Sequence, residues 1–277
     1  MASIAVSLSG MLGWISIATW VVVYSPQIYE NFSLKSGEGV SIAFIVIWLA
    51  GDLCNLAGAW TAGLLPTMII LAAYYTLCDT VLIIQIYYYR WLNTGTLARP
   101  QAHHIENTGE ATPLLSSSNG TQESEKKRSL KRHVLEYVGM ILCLVGAGIA
   151  AWAISQKVQG VGGDEEPRPG EVVEWKSQLM GYCSAMLYLG SRIPQILKNF
   201  DTKCRGLSPG LFIFGIMGNL TYALSICVSS MEMEHLIANA SWLAGSTLTV
   251  LLDVFVLGQF VYYRRRAGGV DVDVDVS

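Results

Sequence analysis

Apolar residues run along this chain in seven stretches of membrane-spanning length, separated by short polar breaks and one long one. They lie near Met11–Tyr29, Val40–Trp60, Leu64–Tyr89, Val134–Ile154, Leu179–Leu197, Leu211–Val228 and Leu236–Tyr263. About 18 mostly apolar residues suffice to cross the hydrocarbon core as a helix. The pattern therefore predicts an all-α membrane protein with seven transmembrane helices. Residues 91–132 interrupt it. They are rich in Ser, Thr, Gly, Asn and charge and lack apolar periodicity, which predicts a disordered cytosolic linker. The end of the chain, 267–277, alternates Asp and Val from Val270 and reads as a disordered acidic tail.

Two of the apolar stretches share an internal interruption. Pro26-Gln27 lies in YSPQIYENF and Pro194-Gln195 in SRIPQILKNF, and each copy reaches Asn-Phe at the same spacing, an offset of 168 positions. Lys35 matches Lys203 at that offset, and Gly51-Asp52-Leu53 matches Gly218-Asn219-Leu220 after a one-residue slip. In the third stretch of each half, Asp79, Gln85 and Tyr88-Tyr89-Arg90 match Asp253, Gln259 and Tyr262-Tyr263-Arg264. Each half is thus three helices, and the fourth stretch has no counterpart. Because three is odd, one intervening span gives both halves the same orientation, a parallel 3+1+3 repeat. The expected division is a first three-helix repeat at 1–90, the linker at 91–132 and an unpaired transmembrane helix at 133–156. A luminal loop at 157–174, a second three-helix repeat at 175–266 and the tail at 267–277 complete it.

Composition agrees with a lipid solvent: 52% of residues are hydrophobic and 14% charged, against about 25% charged in a soluble domain. The net charge of −3 matters less than its distribution. With the N-terminus luminal, the cytosolic side receives Lys35, Arg90, Arg99, Lys126, Lys127, Arg128, Lys131, Arg132, Lys198, Lys203, Arg205, Arg264, Arg265 and Arg266. The luminal side receives only Lys157, Arg168 and Lys176, beside the acidic run Asp164, Glu165 and Glu166. This asymmetry predicts an N-terminus on the side away from the cytosol (the luminal side of an organelle membrane) and a cytosolic C-terminus. The first stretch has no basic n-region and no small-residue cleavage site after it, so it reads as a retained helix.

Catalytic chemistry is not in evidence. The six cysteines form no C-x-x-C spacing and read as packing residues. His103, His104, His133 and His235 fall in loops or at helix ends without metal or triad spacing. The expectation is a protein that is not an enzyme, with no cofactor, no bound metal and no nucleic-acid partner.

The candidate chemistry is instead intramembrane charge, which is costly in lipid and marks function by default. Asp52 sits near the middle of its stretch, with Asn55 one turn away on the same face and Asn219 as its uncharged repeat partner. One carboxylate flanked by amides suits a cationic ligand; an Asp–Asn bond locking two helices is the other reading. Asp79 and Asp253 occupy equivalent positions, as either a shared structural hydrogen bond or a pair of proton- or charge-coupling sites would require. Arg192 aligns with Tyr24, so its charge belongs to the second half alone; it reads as a structural or gate ion pair, or as a snorkelling residue. Tyr74 and Tyr75, deeper than the interfacial tyrosines, could line a cavity through cation–π contact. Pro26 and Pro194 remove a backbone bond and bend their helices near one end, where a kink can serve as a gate hinge or stay static.

Paired Pro-Gln motifs, the 3+1+3 count and Gly51-Asp52-Leu53-Cys54-Asn55-Leu56 together resemble the PQ-loop transporter family, related in architecture to the SWEET sugar transporters. Within it, Ser191-Arg192-Ile193-Pro194-Gln195-Ile196 and the segment from Leu251-Leu252-Asp253 to Tyr263-Arg264 are most similar to the lysosomal and vacuolar cationic amino acid transporters. The resemblance implies gate hinges at Pro26 and Pro194, with Gln27 and Gln195 beside the freed carbonyls. It implies a secondary transporter moving arginine, lysine or histidine across a lysosomal or vacuolar membrane by alternating access. The runners-up are a cystine or neutral amino acid transporter of the same fold, and a seven-helix nutrient sensor. Glu110-Ala111-Thr112-Pro113-Leu114-Leu115 has the acidic dileucine form, which implies a cytosolic sorting adaptor as partner, besides the substrate and the lipid bilayer.

Overall fold

The computed structural model describes residues 2–61, 66–97, 119–159 and 175–269. Among the described residues every regular element is a helix: α1 (Ala2–Val22), α2 (Ser25–Leu34), α3 (Ile42–Thr61), α4 (Pro66–Leu97), α5 (Asn119–Gln159), α6 (Trp175–Thr202), α7 (Pro209–Ser229), α8 (Met233–Ala238) and α9 (Ala240–Gly269). Six segments are long and apolar enough to cross a membrane: Val6–Leu34, Ile42–Thr61, Ile69–Thr94, Val134–Lys157, Pro209–Ser229 and Trp242–Arg266. The stretch expected at Leu179–Leu197 falls within α6, which is 28 residues long but is not among the six. Its composition is diluted by Ser184, Ser191, Arg192, Gln195 and Asn199, and every one of these is buried against neighbouring helices.

Three other boundaries differ from the sequence expectation. The first apolar stretch is two helices: α1 ends at Val22 and α2 restarts at Ser25, with Pro26 in the first turn of α2, where no N–H is needed for the ladder. Pro194, by contrast, lies inside an uninterrupted α6. Helix also enters the expected linker from both ends, α4 reaching Leu97 and α5 starting at Asn119. Residues 98–118, and with them Glu110, Leu114 and Leu115, lie outside the described residues, as do 160–174 and 270–277.

The helices pack reciprocally. α1 runs along α7, and its repeat equivalent α6 runs along α3; within the halves α3 packs on α4 and α7 on α9. The unpaired α5 lies against α1 with most of its surface outward, which suits contact with lipid. Ser9 Oγ donates to the Ser225 carbonyl (2.8 Å) and Ser16 Oγ to the Gly218 carbonyl (2.9 Å), tying α1 to α7 by its polar spots. The main apolar cluster gathers Val23, Phe44, Trp48, Leu82, Phe212 and Phe214 from both halves.

The α2–α3 and α6–α7 loops meet at their glycines. A Cβ on Gly39 would lie 1.9 Å from the Gly206 carbonyl carbon and 2.0 Å from its oxygen. Both atoms are backbone, so no rotamer change relieves the clash. Gly39→Ala should therefore force the loops apart and destabilise the fold by about 2–4 kcal/mol. Gly139→Ala, where a Cβ meets nothing within 4 Å, should leave the melting temperature in detergent unchanged; equal melting of the two variants would refute the contact.

Candidate functional site

The Pro-Gln motifs build two matching polar clusters. Gln27 Nε2 donates to Asn31 Oδ1 (2.8 Å), and Asn31 Nδ2 donates to Gln85 Oε1 (3.2 Å). Gln195 Nε2 donates to Asn199 Oδ1 (2.9 Å), and Asn199 Nδ2 to Gln259 Oε1 (2.9 Å). Each chain ends on a backbone carbonyl of its own half: Gln85 Nε2 on Ile28 (3.3 Å), Gln259 Nε2 on Ile196 (3.1 Å). The remaining bonds cross to the other half. Gln27 accepts from the Ser208 amide (2.7 Å) and donates to the Gly206 carbonyl (3.1 Å). Gln195 accepts from the Ser41 amide (2.7 Å) and donates to the Gly39 carbonyl (3.1 Å). Both glutamines are fully buried. Each motif thus clamps the loop that opens the second helix of the opposite repeat.

Deeper in the helices stands Asp52, 1% exposed on α3. Tyr188 of α6 donates its hydroxyl to Asp52 Oδ1 (2.5 Å), and Tyr24, between α1 and α2, donates to Oδ2 (3.2 Å). The carboxylate is therefore held by one tyrosine from each half. Gly51 makes room for this: a Cβ there would meet the Tyr188 ring at 2.7 Å. Its counterpart Gly218 stands in the same relation to Trp20, the repeat equivalent of Tyr188, at 2.8 Å. The Tyr188–Asp52 pair, which crosses between the halves, is thus Trp20 and Asn219 at the equivalent positions.

Asp79 on α4 is buried (0% exposed). It lies beside Asp52 and the Tyr24 phenol. Yet neither of its oxygens has a hydrogen-bond partner. Its repeat equivalent Asp253 has a different environment: Arg192 Nε bonds its Oδ1 at 3.0 Å, with both side chains buried. The same guanidinium donates to the Tyr188 carbonyl (3.0 Å) and Ser191 Oγ (3.0 Å) and lies 4.6 Å from the Trp48 ring centroid. Where Arg192 neutralises one aspartate, Tyr24 at the equivalent position leaves the other unpaired.

The remaining sequence candidates lie around this centre unevenly. Asn219 is buried, but its amide donates to the Gly215 carbonyl one turn back (3.1 Å) rather than to Asp52. Asn55 is half-buried and joins none of the hydrogen bonds to Asp52. Tyr75 packs its ring 6.3 Å from Tyr24 and 6.1 Å from Trp20. Tyr74 donates to the Val21 carbonyl (2.5 Å), beside the break between α1 and α2. Sequence reasoning missed Tyr24 and Tyr188 as partners of Asp52; the only signal was that Tyr24 replaces Arg192.

The Arg192–Asp253 pair gives a direct test. Removing one partner of a buried pair leaves an uncompensated charge at a cost of about 3–5 kcal/mol, whereas replacing both by apolar groups is often neutral. Arg192→Met alone should sharply lower thermal stability, and Arg192→Met with Asp253→Leu should recover most of it. A double variant as unstable as the single one would contradict the pairing.

Against known proteins, the model of the PQ loop repeat matches twice, at residues 8–68 and 177–232. A vacuolar lysine transporter of Saccharomyces cerevisiae is 38% identical, with 94% of each chain covered. A vacuolar histidine transporter of the same yeast is 40% identical over 94% of each chain. The human lysosomal amino acid transporter 1 homolog is 29% identical, over 95% of this chain and 84% of that one.

Proposed function

Because the chain belongs to the PQ-loop repeat family, a family of membrane transporters and not of enzymes, we propose that it carries cationic amino acids across a vacuolar or lysosomal membrane. Names of relatives supply the class: lysine, histidine, and in a third yeast relative arginine and histidine. The observation that carries the reading to this chain is the buried carboxylate pair. Asp79 is fully buried with neither oxygen in a well-formed hydrogen bond, beside an Asp52 that accepts from the hydroxyls of Tyr24 and Tyr188. Two carboxylates in a dry site are stable only when a cation or a proton joins them. A lysine or arginine side chain is such a cation. Asp253 already has its counter-ion in Arg192, so the reading assigns substrate charge or coupling to Asp52 and Asp79 and a fixed structural role to Asp253.

In this proposal α6 is the seventh span, its polar face turned inward, and the halves form a parallel 3+1+3 repeat. The N-terminus is luminal and the C-terminus cytosolic, as the basic residues suggest. Transport is by alternating access. The glutamine clamps close one end, and opening requires each glutamine to release the opposite loop. Pro26, where the helix is already split, is the more mobile hinge; Pro194 bends within α6. Tyr75 and Tyr74 flank the path, with Asn55 and Asn219 reached by substrate only as the site opens. Sorting by an adaptor on Glu110, Leu114 and Leu115 belongs to the same proposal.

Flux in proteoliposomes tests the site. Labelled lysine uptake should saturate and be competed by arginine and histidine. Asp52→Asn should reduce it by about tenfold or more, in line with the ~1–3 kcal/mol of a lost charge-assisted contact. Asp79→Asn should remove whatever dependence on a pH gradient the parent shows, while Asp253→Asn should act through stability. Competition by cystine but not by arginine, with full activity of Asp52→Asn, would overturn the reading.

A further inference from the structure

The clamps fix a residue-by-residue equivalence between the two loops. Gly39 and Gly206 give their carbonyls to opposite glutamines, and Ser41 and Ser208 their amides. Glu38 is therefore the counterpart of Arg205, and Arg90 the counterpart of Arg264. In the first half these positions form an ion pair: Arg90 Nε bonds Glu38 Oε1 at 2.6 Å and Nη2 bonds Oε2 at 3.1 Å. The Arg90 guanidinium holds the Glu38 carboxyl below the usual carboxylate range, so this half keeps its own anion in place down to mildly acid pH. In the second half the carboxylate is replaced by a second cation.

The arginines do not turn away from each other. Arg205 and Arg264 line one cleft of about 590 Å³ together with Lys203 and Arg266, over the rings of Phe260 and Tyr263, and among the described residues no carboxylate lines it. All four cations are exposed. Lys203 Nζ donates to the Phe200 carbonyl and lies 5.0 Å from the Tyr263 ring centroid, and Arg266 Nη1 donates to Tyr262 Oη at 3.0 Å. These contacts hold the charged heads at the cleft without neutralising them. From Arg266 a second, apolar hollow continues up α9 over Val254, Leu257, Gly258 and Val261. A Cβ on Gly258 would meet nothing within 4 Å, so the hollow is open at that glycine.

We infer that this cleft is a binding site for an anionic phospholipid whose headgroup carries phosphomonoesters, a phosphoinositide in chemical class. The headgroup phosphates take the place that Glu38 fills in the first half, and an acyl chain lies in the hollow on α9. Four cations around one cleft exceed what a single phosphodiester neutralises, and arginine forks match phosphate oxygens bidentately. The site lies at the end of a membrane-spanning helix, where such headgroups sit. Lys203 and Arg205 belong to the loop that Gln27 clamps through Gly206 and Ser208, so a phosphate bridging Arg205 to Arg264 ties that loop to α9 and favours the closed clamp.

Native mass spectrometry of the full chain, released from nanodiscs of phosphatidylcholine with a few mole per cent of phosphatidylinositol bisphosphate, tests this without any transport assay. Its outcome is therefore separate from that of the flux experiment. Retained bisphosphate lipid is expected, at one equivalent. Arg205→Glu, which installs the first half's anion, should lower retention by about tenfold or more. The double variant Arg264→Gln, Arg266→Gln should do the same while remaining monodisperse. Equal retention by the parent and these variants would overturn the site. Equal retention of phosphatidylserine at matched charge would reduce it to a general basic surface and overturn the headgroup assignment. Soluble inositol trisphosphate binding as tightly as the lipid would overturn the role of the hollow.

Discussion

A primary amide offers two donors and one acceptor oxygen, and Gln27 and Gln195 each use all three where water is absent. One donor goes to an asparagine of the same half, and the other donor and the oxygen go to a loop of the opposite half. Neither glutamine can be satisfied by its own repeat. An unpaired amide in a buried site costs about 1–3 kcal/mol per group, so each half is held in shape by the presence of the other. The contact of Gly39 with Gly206, and the pinning of Ser41 and Ser208 ahead of α3 and α7, follow from that reciprocity.

The same duplication is broken where charge is concerned. Equivalent positions hold Tyr24 and Arg192, Asp52 and Asn219, Tyr188 and Trp20, Glu38 and Arg205. Backbone architecture is symmetric, and chemistry is not. One half supplies a fixed ion pair, Arg192 with Asp253, and the other an unpaired carboxylate beside a tyrosine-held one. At the loops the roles reverse: the first half is internally neutralised and the second presents cations to an outside anion. The frame is symmetric and the charge it carries is not.

Much of this was legible in the residues. The Pro-Gln repeats, the offset of 168 and the match of Asp79 with Asp253 fixed the duplication and the helical class before any coordinate. The isolation of Asp52 in an apolar stretch marked it as chemistry. What the sequence could not give was which side chains cross between halves. The partner of Gln27 is a loop 179 residues away, and Tyr188 in sequence is one more aromatic in an apolar helix. Only packing of α6 on α3 sets its hydroxyl against Asp52. Nor does register give partners: Asn219 matches Asp52 in the repeat, yet its amide donates to Gly215 of its own helix. The split beside Pro26 and the continuity through Pro194 likewise cannot be told apart from the dipeptide they share.

The central claim, that the glutamine clamps hold the loops closed, can be read from Cys204. It lies in the clamped loop, 5% exposed, and burial pushes its thiol up to about 11. With the other five cysteines replaced by alanine, the rate of maleimide modification in phosphatidylcholine nanodiscs reports how often the loop opens. The account predicts slow modification in the parent and a rise of about tenfold or more in Gln27→Leu, because release both exposes the thiol and restores its thiolate. An unchanged rate in a folded Gln27→Leu protein would contradict it.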